Sequence, residues 1–207
     1  MENHVGTPET VLDVGSADGP SVSWMRERGR RIALDLDFAA LSRGDVCGTA
    51  LQMPFRDESF DVVAAFDVLE HCDPEAQALS EIVRVLRPGG RLLIAVPAYE
   101  WAWTSFDRDI GHHRRYTRRR LTNALEAAGL EIRRSTYMFA ATLPLFTAER
   151  LLRKVRRPGD DPDTELPEVS ALAERILLGL CRADRRLLRK RNLPFGSSVV
   201  AVATKAP

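Results

Sequence analysis

Cysteine is scarce in this chain. Cys47, Cys72 and Cys181 stand far apart in 207 residues and form no C-x-x-C pair, so neither a disulfide framework nor a zinc cluster is suggested. They read as ordinary small side chains. Lysine is scarcer for its class: Lys154, Lys190 and Lys205 stand among 30 basic residues, the rest arginine. No apolar run reaches the length of a membrane span. The opening MENHVGTPET lacks the basic and apolar regions of a secretory leader, and the chain is expected in the cytoplasm. There is no internal repeat and no low-complexity tract. What remains is a soluble composition of a length that suits one domain with a full-sized core.

The net charge of +1 hides an asymmetry. Residues 1–107 carry 9 Arg against 18 Asp and Glu, giving −9, whereas residues 108–207 carry 21 basic and 11 acidic residues, giving +10. A basic second half suits an anionic partner such as nucleic acid, a lipid head group or a phosphorylated substrate. It equally suits a solvated helical surface.

Short apolar runs alternate with helical segments through the first half. TVLDVG and RRIALDLD read as strands separated by a short polar helix, PSVSWMRERG. FAALSRGDVCGTALQMPF leaves room for a helix of barely one turn and a short strand. SFDVVAAFDVLEH then reads as a buried strand, DPEAQALSEIVRVLRPGG as an amphipathic helix stopped by Pro and Gly, and RLLIAVP as another strand. This rhythm predicts a parallel sheet with helices on its faces. Past Pro97 the rhythm breaks into AYEWAWTSFDRDIGHHRRYTR, a long loop dense in Trp, Tyr, His and Arg that reads as an active-site loop. A helix (RRRLTNALEAAGL), a strand (EIRRSTYMF) and a final edge strand (SSVVAVATK) follow. Between the two strands lies a helical insertion over 140–195 with an acidic, Pro-rich link at 158–168.

The stretch VLDVGSADGP raises the first question about chemistry. In an open parallel sheet, ligands bind at the carboxyl ends of the strands, and Asp13–Gly19 would sit there. Gly15 and Gly19 let the backbone turn sharply and approach a ligand. A phosphate loop fails for want of its Lys, and a dinucleotide fingerprint fails because Ala17 and Pro20 occupy glycine positions. Asp35, about twenty residues on, is placed to accept hydrogen bonds from ribose hydroxyls. Its position equally suits a surface Asp at a strand end.

Two further segments, LQMPFRDESFDVVAAFDVLEH and EIVRVLRPGGRLLIAVP, closely resemble the class I S-adenosylmethionine-dependent methyltransferases, in particular the type 11-like group. The resemblance covers residues 10–97. It implies a Rossmann-like seven-stranded sheet with helices on both faces and the helical insertion before the last, antiparallel strand, in a single domain over 1–207. It further implies S-adenosylmethionine as cofactor and S-adenosylhomocysteine as product. By that resemblance Asp13, Gly15, Ser16 and Ala17 cradle the amino-acid end, Asp35 holds the ribose and Leu36 packs on the adenine. Thr49, Ala50, Leu51 and Phe66 complete the cofactor site; Thr49 departs from the Asp common in the family.

Two places offer groups that could act on an acceptor. DVLEH brings Asp67, Glu70 and His71 to the end of the fourth strand, and GHHRRY brings His112 and His113 to the loop after the fifth. Asp67, Glu70, His71 and His112 are similar to the divalent-metal site of ubiquinone-pathway O-methyltransferases and small-RNA 2′-O-methyltransferases, which would imply Mg²⁺ or Mn²⁺. Without a metal, His112 or His113 is the candidate general base, with His71 beside them. GHHRRY also resembles a subgroup of these methyltransferases with a G-H-x-R-R-Y segment. Arg114 and Arg115 could clamp an acceptor carboxylate or phosphate, or pair with Asp107 and Asp109 of their own loop. Trp101, Trp103 and Tyr116 are candidate acceptor contacts. The insertion is expected to act as a lid, its apolar and basic character suiting a hydrophobic acceptor pocket, a dimer contact or a membrane-surface contact. The expected function is O-methylation of a small molecule: a secondary metabolite, sugar or lipid-linked precursor. Nucleic acid is not expected as a partner, and a monomer or homodimer is. The rival readings are an RNA 2′-O-methyltransferase using a divalent metal and a non-catalytic cofactor-binding subunit.

Overall fold

The computed structural model describes residues 5–16, 19–155 and 170–207. The strands are β1 (Thr10–Val14), β2 (Arg30–Asp35), β3 (Val46–Cys47), β4 (Phe60–Phe66), β5 (Leu86–Pro97), β6 (Leu130–Met138) and β7 (Ser198–Lys205). The helices are α1 (Glu75–Val85), α2 (Ser105–Asp109), α3 (Arg118–Ala127), α4 (Leu143–Val155) and α5 (Ala171–Leu188). The sheet order is β3-β2-β1-β4-β5-β7-β6. β1 to β5 run parallel and β7 runs antiparallel to both of its neighbours. Strand order reverses between β1 and β4, which opens a crevice at their carboxyl ends.

β4 and β5 are near-continuous apolar runs because both of their faces are covered. On one face Leu79, Ile82 and Val85 of α1 and Leu121 and Leu125 of α3 pack on Leu12, Val63, Leu92 and Ile94. On the other, Val11, Val62, Ala64, Leu93 and Val202 meet Met25, Val22 and Trp24.

Three expectations change. Where PSVSWMRERG suggests a helix, only a 3-10 turn forms at Ser23–Arg26. Ser21 gives both its N–H and its hydroxyl to Asp13, which diverts the backbone where a first helical turn would begin. SSVVAVATK is an interior strand between β5 and β6, not an edge. Its VVAVA run is buried on both faces, and the edge falls to β6, whose Glu131, Arg133 and Arg134 tolerate it. Finally, β5 begins at Leu86 directly after α1, so that Pro88, Gly89 and Gly90 lie inside the strand and the pairing with β4 shifts register between Phe60 and Val62. The insertion is helical, as α4 and α5; the acidic link at 158–168 lies outside the described residues. No helix among the described residues is long and apolar enough to cross a membrane.

Candidate active site

Gly15 ends β1 with φ +68, and a Cβ there would lie 2.6 Å from Val68 Cγ2. Only glycine allows both the turn and the close approach to the segment after β4. The turn is held from behind. Asp13 is fully buried, accepts from the Ser21 N–H (3.0 Å) and hydroxyl (2.6 Å), and pairs with Arg31 at 2.9 Å. Arg31 continues to Ser16 Oγ at 2.7 Å and the Gly19 carbonyl at 3.1 Å. Asp13 therefore organises the turn from within the fold. Ser16 is buried, and Ala17 lies outside the described residues.

At the end of β2, Asp35 is half-buried and accepts from the Asp37 N–H at 2.9 Å. Leu36 and Phe38 beside it are 75% and 79% exposed. Phe38 is an apolar surface at the crevice that sequence reading passed over. Thr49 Oγ1 accepts from the Leu51 N–H in a tight turn, while Ala50 and Leu51 pack against the core of the α1 face and Phe66 against the other.

The segments after β4 and β5 meet at one end of the sheet. Asp67 directly after β4, Tyr99 two residues after β5 and Phe139 directly after β6 all have φ between 54 and 64. Such non-glycine left-handed residues are strained and cluster at sites where the surroundings over-determine them. Leu69–His71 forms a single 3-10 turn, and the His71 and His112 rings meet edge-on with centroids 4.6 Å apart. Glu70 is fully buried, with neither carboxyl oxygen hydrogen-bonded among the described residues; His112 Nε2 lies 3.9 Å from Oε1. Burial, reinforced by the Asp67 charge and opposed by its own backbone and Arg115, pushes the Glu70 carboxyl up to about 8. Burial likewise lowers the His71 pKa, with repulsion from His112 acting the same way. Asp67 reaches solvent, yet desolvation by the surrounding protein raises its carboxyl against the opposing His112 charge.

His112 is oriented by a group read from sequence only as an arginine partner. Its Nδ1 lies 3.0 Å from Asp107 Oδ1, which directs Nε2 towards Glu70. Asp107 is fully buried and also accepts from the Thr104 N–H at 2.9 Å and from Arg115 Nε at 2.7 Å. Burial alone would raise its carboxyl. The bonds from His112, Thr104 and Arg115 reverse that and hold it below the ordinary carboxylate range. Arg150 of α4 reaches the same cluster, bonding Thr104 Oγ1 at 2.7 Å. Its burial is hidden in the sequence, because an arginine in LPLFTAERLL reads as the exposed side of an amphipathic helix.

Glu70, His71 and His112 each offer one donor atom within 4.8 Å of the others, a set that could hold a divalent ion. Asp67 is not in that set. Of the residues expected to contact an acceptor, Arg115 is buried against Asp107, the pairing weighed as its alternative. Arg114 bonds Asp73 at 2.6 Å and the Cys72 carbonyl at 2.7 Å. Tyr116 is fully buried and donates to Glu75 at 2.7 Å, so it faces the core. His113 is exposed and its N–H ties the loop to the Glu70 carbonyl at 2.8 Å. Tyr99 stacks between Trp101 and Tyr137, with centroids 5.6 and 5.4 Å away, and Trp103 is half-buried.

A seven-stranded sheet of this order, with a glycine turn after β1 and an acidic residue ending β2, is similar to the class I S-adenosylmethionine-dependent methyltransferase domain. The comparisons with known proteins agree: residues 12–94 match the family described as "Methyltransferase domain". A Mycolicibacterium smegmatis protein named "Probable S-adenosylmethionine-dependent methyltransferase" is 35% identical over 133 residues, 59% of this chain and 52% of that protein. A demethylmenaquinone methyltransferase of Thermobifida fusca is 36% identical over 100 residues, 42% of each. The chain thus spans about half, or less, of these relatives. The crystal structure of a SAM-dependent methyltransferase from Archaeoglobus fulgidus superposes with TM-score 0.64 at 18% identity, covering 99% of this chain and 89% of that one, a likeness of fold.

Proposed function

We propose that the chain methylates an oxygen atom of a small-molecule acceptor, such as a secondary metabolite, sugar or lipid-linked precursor. S-adenosylmethionine, when bound, supplies an electrophilic methyl group. The Gly15–Gly19 turn, Asp35, Leu36 and the Thr49–Leu51 turn would hold it. The observation that carries the reading is the Asp107–His112 pair: with Nδ1 held by a buried carboxylate, His112 offers Nε2 to take a proton from an acceptor hydroxyl. Such a proton transfer matters for oxygen acceptors, whose nucleophile must be uncovered, and positioning by the Trp101 and Trp103 wall supplies the rest.

The test is radiolabelled methyl transfer across a panel of hydroxylated acceptors, followed by kinetics of His112→Ala on the best one. We expect kcat to fall by about 10²–10⁴ while S-adenosylhomocysteine affinity holds. An undiminished kcat would overturn the assignment.

The Glu70, His71 and His112 set favours one second reading, in which a divalent ion polarises the acceptor hydroxyl, as an RNA 2′-O-methyltransferase would need. Titrating Mn²⁺ into S-adenosylhomocysteine-saturated protein separates the two. Saturable binding lost in Glu70→Ala supports the ion, and absence of binding at millimolar metal leaves His112 as the base.

A further inference from the structure

α4 is turned inside out. An amphipathic helix ordinarily buries its leucines and exposes its arginines, but here Arg150 is buried, bonded to Thr104, with its guanidinium over the rings of Phe106 and Phe146. Pro144, Leu145, Ala148, Leu151 and Leu152 face solvent, with Leu145 57% and Leu152 60% exposed. Their spacing of three and four places them in one stripe. α5 shows the complementary character. It turns Leu177, Leu180, Asp184 and Leu188 towards the protein and fixes the Ala141 N–H to Asp184. It exposes Ile176, Leu178 and Leu187 among Arg175, Arg182, Arg185 and Arg186, against the single exposed carboxylate of Glu174.

We propose that α4 and α5 dock this protein on an anionic membrane surface, with the leucines at the boundary between head groups and acyl chains and the arginines on lipid phosphates. Charge decides among occupants. A second copy of this chain seated on α5 through the same helix would bring arginines against arginines. A bare polyanion would match the arginines and leave the α4 leucines in water. Only a surface both anionic and apolar satisfies both helices. The docking reaches the site, because the buried side of α4 is fastened through Arg150 to Thr104, whose N–H bonds the Asp107 that orients His112. A lipid-linked acceptor is thereby favoured; that step rests on the methyl-transfer reading, whereas the docking does not.

The experiment is co-sedimentation of the full chain with vesicles of phosphatidylcholine, alone or with about 30 mol % phosphatidylglycerol. A parallel run uses the Leu145→Ser, Leu151→Ser, Leu152→Ser variant, whose changes are at exposed positions and whose fold is checked by circular dichroism. Binding to the anionic vesicles that weakens at least about tenfold in the variant supports the proposal. So does a blue-shifted emission of an environment-sensitive dye on Leu152→Cys, in a Cys47→Ser, Cys181→Ser background, when vesicles are added. Failure to sediment with anionic vesicles, or binding that ignores the leucines and disappears in high salt as for RNA, overturns it. A leucine-dependent dimer in sedimentation velocity without vesicle binding assigns the face to a second copy and likewise overturns it. None of these readouts depends on methyl transfer.

Discussion

Asp107 concentrates four donors on one buried carboxylate, His112, the Thr104 N–H and hydroxyl, and Arg115, with Arg150 as an ion pair at 3.8 Å. Asp107→Asn deletes the charge opposite two buried guanidinium groups and places an amide donor where acceptors are needed. Breaking a buried pair from one side typically costs about 3–5 kcal/mol, and denaturant unfolding of the variant should show a loss of that order; a loss below about 1 kcal/mol would mean that solvent screens the cluster. The cysteines make a second residue-scale test. Burial, with the Glu70 charge acting in the same direction and Arg114 opposing, pushes the Cys72 thiol up to about 11, whereas Cys47 is exposed beside the Leu36 carbonyl. Iodoacetamide near neutral pH, followed by peptide mass mapping, should modify Cys47 ahead of Cys72. S-adenosylhomocysteine should slow Cys47 if Leu36 lies under the adenine. Faster reaction of Cys72 in the native protein would contradict the buried placement.

At the scale of elements, the starts of β1, β4 and β5 are joined by Asp61. It accepts from the Glu9 and Thr10 N–H groups at 2.9 and 2.8 Å and pairs with Arg87 at 2.7 Å. Burial works against this carboxylate, and the bonds from Thr10 and Arg87 outweigh it, lowering its pKa below the ordinary 3.8. A depressed folded-state pKa gives stability that is complete above the unfolded value and is lost as pH falls through the folded one. Asp61→Asn should therefore destabilise at neutral pH by about 1–3 kcal/mol and flatten the loss of stability below about pH 4; an unchanged acid limb in urea titrations would refute the linkage. The turn after β1 is just as specific. A methyl at Gly15 has to displace Val68, so Gly15→Ala should abolish S-adenosylhomocysteine binding in calorimetry while the sheet survives in far-ultraviolet circular dichroism.

For the whole molecule, a ligand that binds only the folded state stabilises it by mass action. S-adenosylhomocysteine at a hundred times its Kd should add about 2.7 kcal/mol, read as a rise in Tm of roughly 5–10 °C. Asp35→Ala should reduce the shift at the same ligand concentration. An equal shift in the variant would move the ribose contact elsewhere.

The sheet, the glycine turn and the acidic end of β2 were legible in the sequence, because each depends on local patterns: apolar runs, a left-handed turn, a fixed spacing. The short helix after Pro20 was misread because Ser21 is claimed by Asp13, a partner eight residues away. The place of SSVVAVATK between β5 and β6 was missed because strand order is a long-range property that a single strand does not encode. The Asp107–His112 pair sits five residues apart, yet that this one acid takes the histidine together with Arg115 and Arg150 depends on how the segment after β5 folds against α4. The inward arginine of α4 inverts the usual amphipathic pattern for the same reason. Local chemistry sets what each segment prefers; only packing between distant segments decides which preferences are met, and the carboxylate, imidazole and guanidinium groups of the site acquire their roles there.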